Sequence, residues 1–181
     1  MSNAVLVMGK TGSGKSTSME NLDPKETFII NVVGKDLPFR GGNKRYTAEK
    51  KNYFATHNHA QIVGVMKELN KNAPHVKTII VDDAQYIMSY EFMTTKTSGF
   101  DKFNEIAEHM FGVIKITLEG LFTVVLMAEQ RVSGEETIYG FQTKGTVRDT
   151  VKTPKDMFKD EYIPNDLKLV VDTIEEYNNA E

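Results

Sequence analysis

Apolar residues along the chain fall into two rhythms, separated by polar breaks. Short continuous runs rich in Val and Ile predict buried strands at Ala4–Met8, Thr27–Val33, Val76–Val81 and Leu121–Met127. Helical spacing predicts longer amphipathic elements. Asn58 caps a helix to about Asn72 carrying Ile62, Met66 and Leu69, with Val63 and Val65 beside them. Asp101 to Ile116 places Phe103, Ile106, Ala107, Met110, Val113 and Ile114 on one face. Asp166 opens a last helix with Leu167, Val170, Val171, Ile174 and Tyr177 on one face. Shorter helices are expected over Lys15–Asn21 and Ala84–Met93. Gly34, Pro74 and Gly120 act as breaks. Ser133-Gly134 marks a turn between Leu121–Met127 and Thr137–Gln142, which predicts a hairpin. The stretches 35–53, 94–99 and 143–164 read as irregular. Strands alternating with helices predict one α/β domain over residues 1–181, around a mainly parallel sheet with a C-terminal antiparallel hairpin.

The break after the first strand is Gly9-Lys10-Thr11-Gly12-Ser13-Gly14-Lys15-Ser16, followed by Thr17. It fits G-x-x-x-x-G-K-[ST], the phosphate-binding P-loop, in the strand–loop–helix setting that the motif requires. Gly9, Gly12 and Gly14 allow backbone N–H groups to close on phosphates without side-chain clash. A helix starting near Lys15 would add its positive dipole end. Lys15 is placed to reach the β- and γ-phosphates, and the Ser16 hydroxyl to ligate Mg²⁺.

Composition narrows this little. The chain has 181 residues, 40% apolar and 26% charged, with net charge −3, so overall charge gives no argument for nucleic acid or membrane. It has no cysteine, which excludes disulfides and thiolate metal sites. The first strand follows Met1-Ser2-Asn3 directly, and no run approaches the ~18 residues of a membrane span. A cytoplasmic protein without membrane contact is the expectation.

A second chemical element is Thr78-Ile79-Ile80-Val81-Asp82, apolar residues ending in an acid, the form of a Walker B strand. Asp82 would hold Mg²⁺ through its water shell. Asp83 either orients or deprotonates an attacking water, or caps the following helix. With this pair in view, the chain resembles the phage P-loop ATP-binding proteins of the AAA/RecA-like group, related to phage single-strand-annealing ATPases. The resemblance rests on Val5 to Leu22, on Asn31 to Gly41 with its Leu37-Pro38-Phe39, and on the Walker B strand. It extends to Leu118 to Leu126 and to Ile163-Pro164-Asn165-Asp166-Leu167. It implies a three-layer P-loop NTPase fold, ATP with Mg²⁺, and a hydrolase acting in DNA recombination, replication or single-strand annealing in the host cytoplasm. Turnover is expected to be slow without DNA and a further copy of the chain in a homo-oligomer. One departure is visible. Lys115-Ile116 runs straight into Thr117-Leu118-Glu119-Gly120, so the sheet is expected to lack one core strand, the one that carries a polar sensor. Leu121–Met127 would then take the empty place between the P-loop and Walker B strands, or the sheet would re-pair. Glu129, Gln130 or Arg131 would substitute as sensor, Gln130 being the choice for positioning water.

Other candidates are weaker. The basic stretch from Lys35 to Tyr53 interleaves Phe39, Tyr46 and Tyr53 with cations and suits single-stranded DNA, through Lys35, Arg40, Lys44 and Arg45. A solvated loop is the bland alternative, and Lys35 and Arg40 could instead face the phosphates. Tyr139 and Phe141 either flank an adenine or pack. Arg148 or Lys152 could reach across a subunit interface. His57 and His59 find no further ligands nearby in sequence, His75 and His109 stand alone, and no histidine metal site is expected. The nine methionines read mostly as core. Two other functions stay open: a non-hydrolysing nucleotide-binding module, and a small-molecule (nucleotide) kinase. The kinase is disfavoured because the four arginines (40, 45, 131 and 148) are too scattered for a lid. No guanine-reading Asn-Lys-x-Asp element occurs, which leans towards ATP.

Overall fold

The structure, a computed structural model, describes residues 3–117, 122–146 and 150–180, with side chains outside 110–117. In chain order the elements are β1 (Val5–Met8), a 3-10 turn (Thr17–Met19), β2 (Thr27–Asn31), α1 (Gly42–Arg45), β3 (Tyr53–Ala55) and α2 (His59–Asn72). Then follow β4 (Thr78–Asp82), α3 (Gln85–Thr94), α4 (Phe100–Thr117), β5 (Val124–Ser133), β6 (Glu136–Gln142), β7 (Tyr162–Pro164) and α5 (Leu167–Asn179). The protein is mixed α/β, with parallel pairs and added antiparallel strands. Among the described residues, no helix is long and apolar enough to cross a membrane.

The strands form two sheets, ordered β1-β5-β6-β7 and β3-β2-β4. The chain divides into two compact units around them. The first comprises Met1–Leu22, Pro38–Arg40 and Gly120–Glu181. Its core is Val124, Leu126 and Ala128 from β5, Phe141 from β6, Ile163 from β7, Val170 and Ile174 from α5, and Met157 and Phe158. The predicted apolar face of the last helix is the one buried: Val170 is 0% and Ile174 6% exposed, with Leu167 and Tyr177 beside them. Asp166 caps α5, its carboxylate accepting from the Lys168 N–H at 2.8 Å.

The second unit comprises Asp23–Leu37 and Gly41–Glu119. Every residue of β2 is buried, as expected for a central parallel strand covered on both faces. Ile62 and Met66 of α2 pack with Phe28, Ile30, Val32 and Ile87. Asn58 caps α2, accepting from the Gln61 N–H at 3.0 Å.

Several boundaries differ from the sequence reading. The expected helix over Lys15–Asn21 is a single 3-10 turn, Thr17–Met19. Ser and Thr at 16–18 compete for backbone bonds, and Asp23-Pro24 closes the segment soon after. The stretch 35–53 is mostly irregular, as read, but holds the short α1, and β3 begins at Tyr53. Its staple is Asn52, 7% exposed, which donates to Pro24 O (2.9 Å) and Arg45 O (3.0 Å) and accepts from the Thr47 N–H (2.9 Å). Phe103 of α4 is 59% exposed, against its predicted place on the buried face, while Ile106 is buried. Met110, Val113 and Ile114 of that face, and Leu118 to Leu121, lie outside the described residues or side chains. The hairpin is present and longer than expected, Ser133 pairing Glu136 across Gly134. β7 lies inside the stretch read as irregular.

The strand expected to take the empty place pairs otherwise. β5 pairs β1 in parallel, Val5 with Val124 through Met8 with Met127. Its other edge is taken by antiparallel β6 and by a bridge between Val125 and Lys152. With both edges used, β5 does not take the expected place between β1 and β4, which belong to separate sheets.

Candidate phosphate-binding loop and the acidic end of β4

The β1–β5 register decides what meets the glycine-rich loop. Because Met8 pairs Met127, the chain leaving β1 passes Ala128 and then Gln130 on the continuing strand. Gly9 (φ +152°) lies so close that a Cβ there would stand 2.5 Å from Ala128 O and 2.6 Å from Ser13 Oγ. Gly14 (φ +88°) has only side-chain ends near the position of a Cβ, Asn165 Nδ2 at 2.6 Å and Tyr139 Cδ1 at 3.2 Å. Glycine is required by backbone angle at both positions, and by space at Gly9.

Lys15 folds back over this loop. Its Nζ donates to Gly9 O at 2.8 Å and to Lys10 O at 2.9 Å. An ammonium has three protons, and two are engaged among the described residues. Backbone bonds from Ser13 N–H to Lys10 O (3.2 Å) and Ser18 N–H to Gly14 O (2.9 Å) close the loop at either end. Side chains hold it from outside: Gln130 Nε2 donates to Gly12 O, and Asn165 Nδ2 to Gly14 O at 2.9 Å. Gln130 and Tyr139 are directly opposed across the hairpin. The Ser13 hydroxyl is 3% exposed, as a residue, and has no hydrogen-bond partner among the described residues. A buried orphan hydroxyl costs stability unless something binds it. It fits a phosphate-oxygen ligand. Lys10, Thr11, Ser16 and Thr17 complete the loop, with Lys10 and Thr11 exposed. The helix dipole expected behind the loop is reduced to one 3-10 turn.

Strand alternation sorts the three sensor candidates. Glu129 and Arg131 share a face of β5 and pair with each other at 3.4 Å. Arg131 Cζ stacks 3.8 Å from the Tyr162 ring centroid, and Tyr162 donates to Glu129 O at 3.1 Å. Gln130, on the opposite face, reaches the loop. Tyr139 is 43% exposed beside Gly14, whereas Phe141 is fully buried core, so Phe141 is not available to an adenine. Lys152 is exposed, with its backbone bonded to Val125. Arg148 lies outside the described residues. Asn165 is the loop contact that sequence reasoning missed as a site residue. Its only signal was its place in the Ile163–Leu167 segment.

The second unit carries the acids. Asp82 ends β4 and is 8% exposed. Asp83 follows in the left-handed region (φ +59°), a strained position for a non-glycine residue. It does not cap α3 through its side chain; the cap position is Ala84. Asp83 instead takes Lys35 Nζ at 2.5 Å, its own side chain 9% exposed. That hydrogen bond, opposed by burial and aided by the charges of Asp83 and Asp82, raises the Lys35 pKa above its ordinary value. Lys35 is brought there by Asn31, fully buried at the end of β2, which accepts from Gly34 N–H and donates to Lys35 O, both at 2.8 Å.

The DNA candidates are divided. Arg40, Lys44 and Arg45 belong to exposed or partly exposed backbone, but Phe39 (8%) and Tyr46 (2%) are buried and cannot stack on bases. Tyr53 is half-buried, its hydroxyl pushed up in pKa by burial against a hydrogen bond with Asn31. No family model matches this chain, and no curated protein matches it.

Proposed function

We propose that the chain is an ATP·Mg²⁺-binding P-loop NTPase of RecA-like type, acting with DNA in phage recombination, replication or single-strand annealing. The observation that carries the nucleotide reading is the Lys15 ammonium folded over a loop of positive-φ glycines at the end of a parallel strand. The orphan Ser13 hydroxyl supports it. Ser16 would hold Mg²⁺ at the loop, and the ion would supply charge neutralisation at the phosphates. Lys15 would neutralise charge building on the transferred phosphoryl group, its bonds to Gly9 and Lys10 giving way to phosphate oxygens. Gln130, held at the loop, would orient water.

A non-hydrolysing nucleotide-binding module is the second reading, favoured by one observation. The Asp83 carboxylate is already neutralised by Lys35. The carboxylate oxygen held by that ammonium is not free to take a water.

Steady-state ATP hydrolysis with and without single-stranded DNA separates the two. The first reading expects DNA-stimulated turnover that falls at least about 100-fold in Lys15→Ala. ATP binding without turnover, with or without DNA, would establish the second. Absence of nucleotide binding by the unaltered protein would overturn both.

A further inference from the structure

Three helices of the second unit converge on a cluster that the phosphate site does not use. His59 opens α2, Glu91 lies in α3 and His109 in α4. His59 Nδ1 stands 2.8 Å from Glu91 Oε1, and His109 Nδ1 stands 2.8 Å from Glu91 Oε2. The two imidazoles stack with ring centroids 3.7 Å apart and planes 15° from parallel. The stack sets both Nδ1 atoms along one edge, facing one carboxylate. All three ligand atoms lie within 4.8 Å of one another. Their side chains are 24%, 13% and 28% exposed, so the cluster is largely sheltered yet open to a small ion.

We propose that His59, Glu91 and His109 bind one divalent transition-metal ion of the zinc class. Two imidazole nitrogens and one carboxylate oxygen form a donor set suited to Zn²⁺ and its neighbours, and unsuited to Mg²⁺ or Ca²⁺, which prefer all-oxygen shells. At bond lengths of about 2.0–2.1 Å, tetrahedral ligand atoms stand about 3.3 Å apart. Opening each 2.8 Å contact by roughly half an ångström, through side-chain torsions, would admit the ion. The metal would replace the two shared protons and leave a fourth position for water. Because each ligand comes from a different helix, the ion would clamp α2, α3 and α4 together. The site is independent of the nucleotide reading, since none of its residues belongs to the glycine-rich loop or to the acidic end of β4.

The bland alternative is a hydrogen-bonded polar contact between helices. The two differ in a direct measurement. Full-length protein is stripped with chelator and titrated with Co²⁺ in the absence of nucleotide, following visible d–d absorption, and then competed with Zn²⁺. One equivalent of Co²⁺ with nitrogen-ligand bands, displaced by Zn²⁺, is expected. Glu91→Gln and His109→Ala should each weaken binding at least about ten-fold, while His75→Ala should bind as the unaltered protein does. Thermal unfolding guards against variants that merely misfold. Zn²⁺ should raise the Tm of the unaltered protein and of His75→Ala and leave that of Glu91→Gln unmoved. No saturable Co²⁺ binding by the unaltered protein, or equal binding by all four proteins, overturns the proposal.

Discussion

At the scale of single residues, the glycine-rich loop holds its shape at a cost, and Ser13 shows where. Its buried hydroxyl has no partner among the described residues, so removing it should relieve a desolvation penalty. Ser13→Ala is expected to be as stable as the unaltered protein, or more stable by up to about 1–3 kcal/mol, and to bind nucleotide more weakly. Urea denaturation and nucleotide titration read the two effects. A large loss of stability would mean that the hydroxyl is satisfied. Lys35 gives a pH prediction. Its pKa is raised in the folded protein, chiefly by the Asp83 hydrogen bond. The folded state therefore holds that proton more tightly. The stabilisation is fully present below the unfolded lysine value of 10.5 and is lost as pH rises through the higher folded value. Half of the Lys35 side chain is exposed, so screening keeps the effect small. Lys35→Met should flatten the loss of stability as pH rises above 10.5.

At the scale of elements, long amphipathic helices were legible because burial and period reinforce each other. Ile62 and Met66, and Val170 and Ile174, are buried as their spacing requires. The loop from 35 to 53 was legible as a loop, but α1 within it was not, because that turn is held by polar side chains rather than an apolar period. Asn52 satisfies three backbone groups from separate turns. Asn52→Ala should cost about 2–4 kcal/mol and loosen α1, measured by urea denaturation and by hydrogen exchange at Thr47 and Arg45. An unchanged exchange pattern would count against the staple. Methionine was a poor guide to the core in α3: Met88 is 48% and Met93 78% exposed, whereas Met19 and Met66 are buried.

At the scale of the whole molecule, each unit has its own sheet and its own apolar core, and the net charge is −3. Any affinity for DNA must therefore come from local cations. Of the four named for it, Lys35 is committed to Asp83. If Arg40, Lys44 and Arg45 make the phosphate contacts, log Kobs for single-stranded DNA should fall with log salt at a slope of about −2. Fluorescence anisotropy across a salt series measures it. A slope near zero would remove this stretch as the DNA contact.

The sequence by itself determined the glycine-rich loop, the acid ending β4, the strand–helix alternation and the turn of the hairpin. These depend on backbone angles, on residue spacing and on neighbours a few positions away. Only the tertiary structure decided that β5 pairs β1 with one edge and β6 with the other, because strand pairing is settled by competition among edges far apart in the chain. It also decided that Gln130 and Asn165 hold the loop, across separations of 118 and 151 residues. The same holds for His59 and His109, which meet on Glu91 from 32 and 18 residues away. No local period encodes such meetings; they follow from how the helices and strands pack.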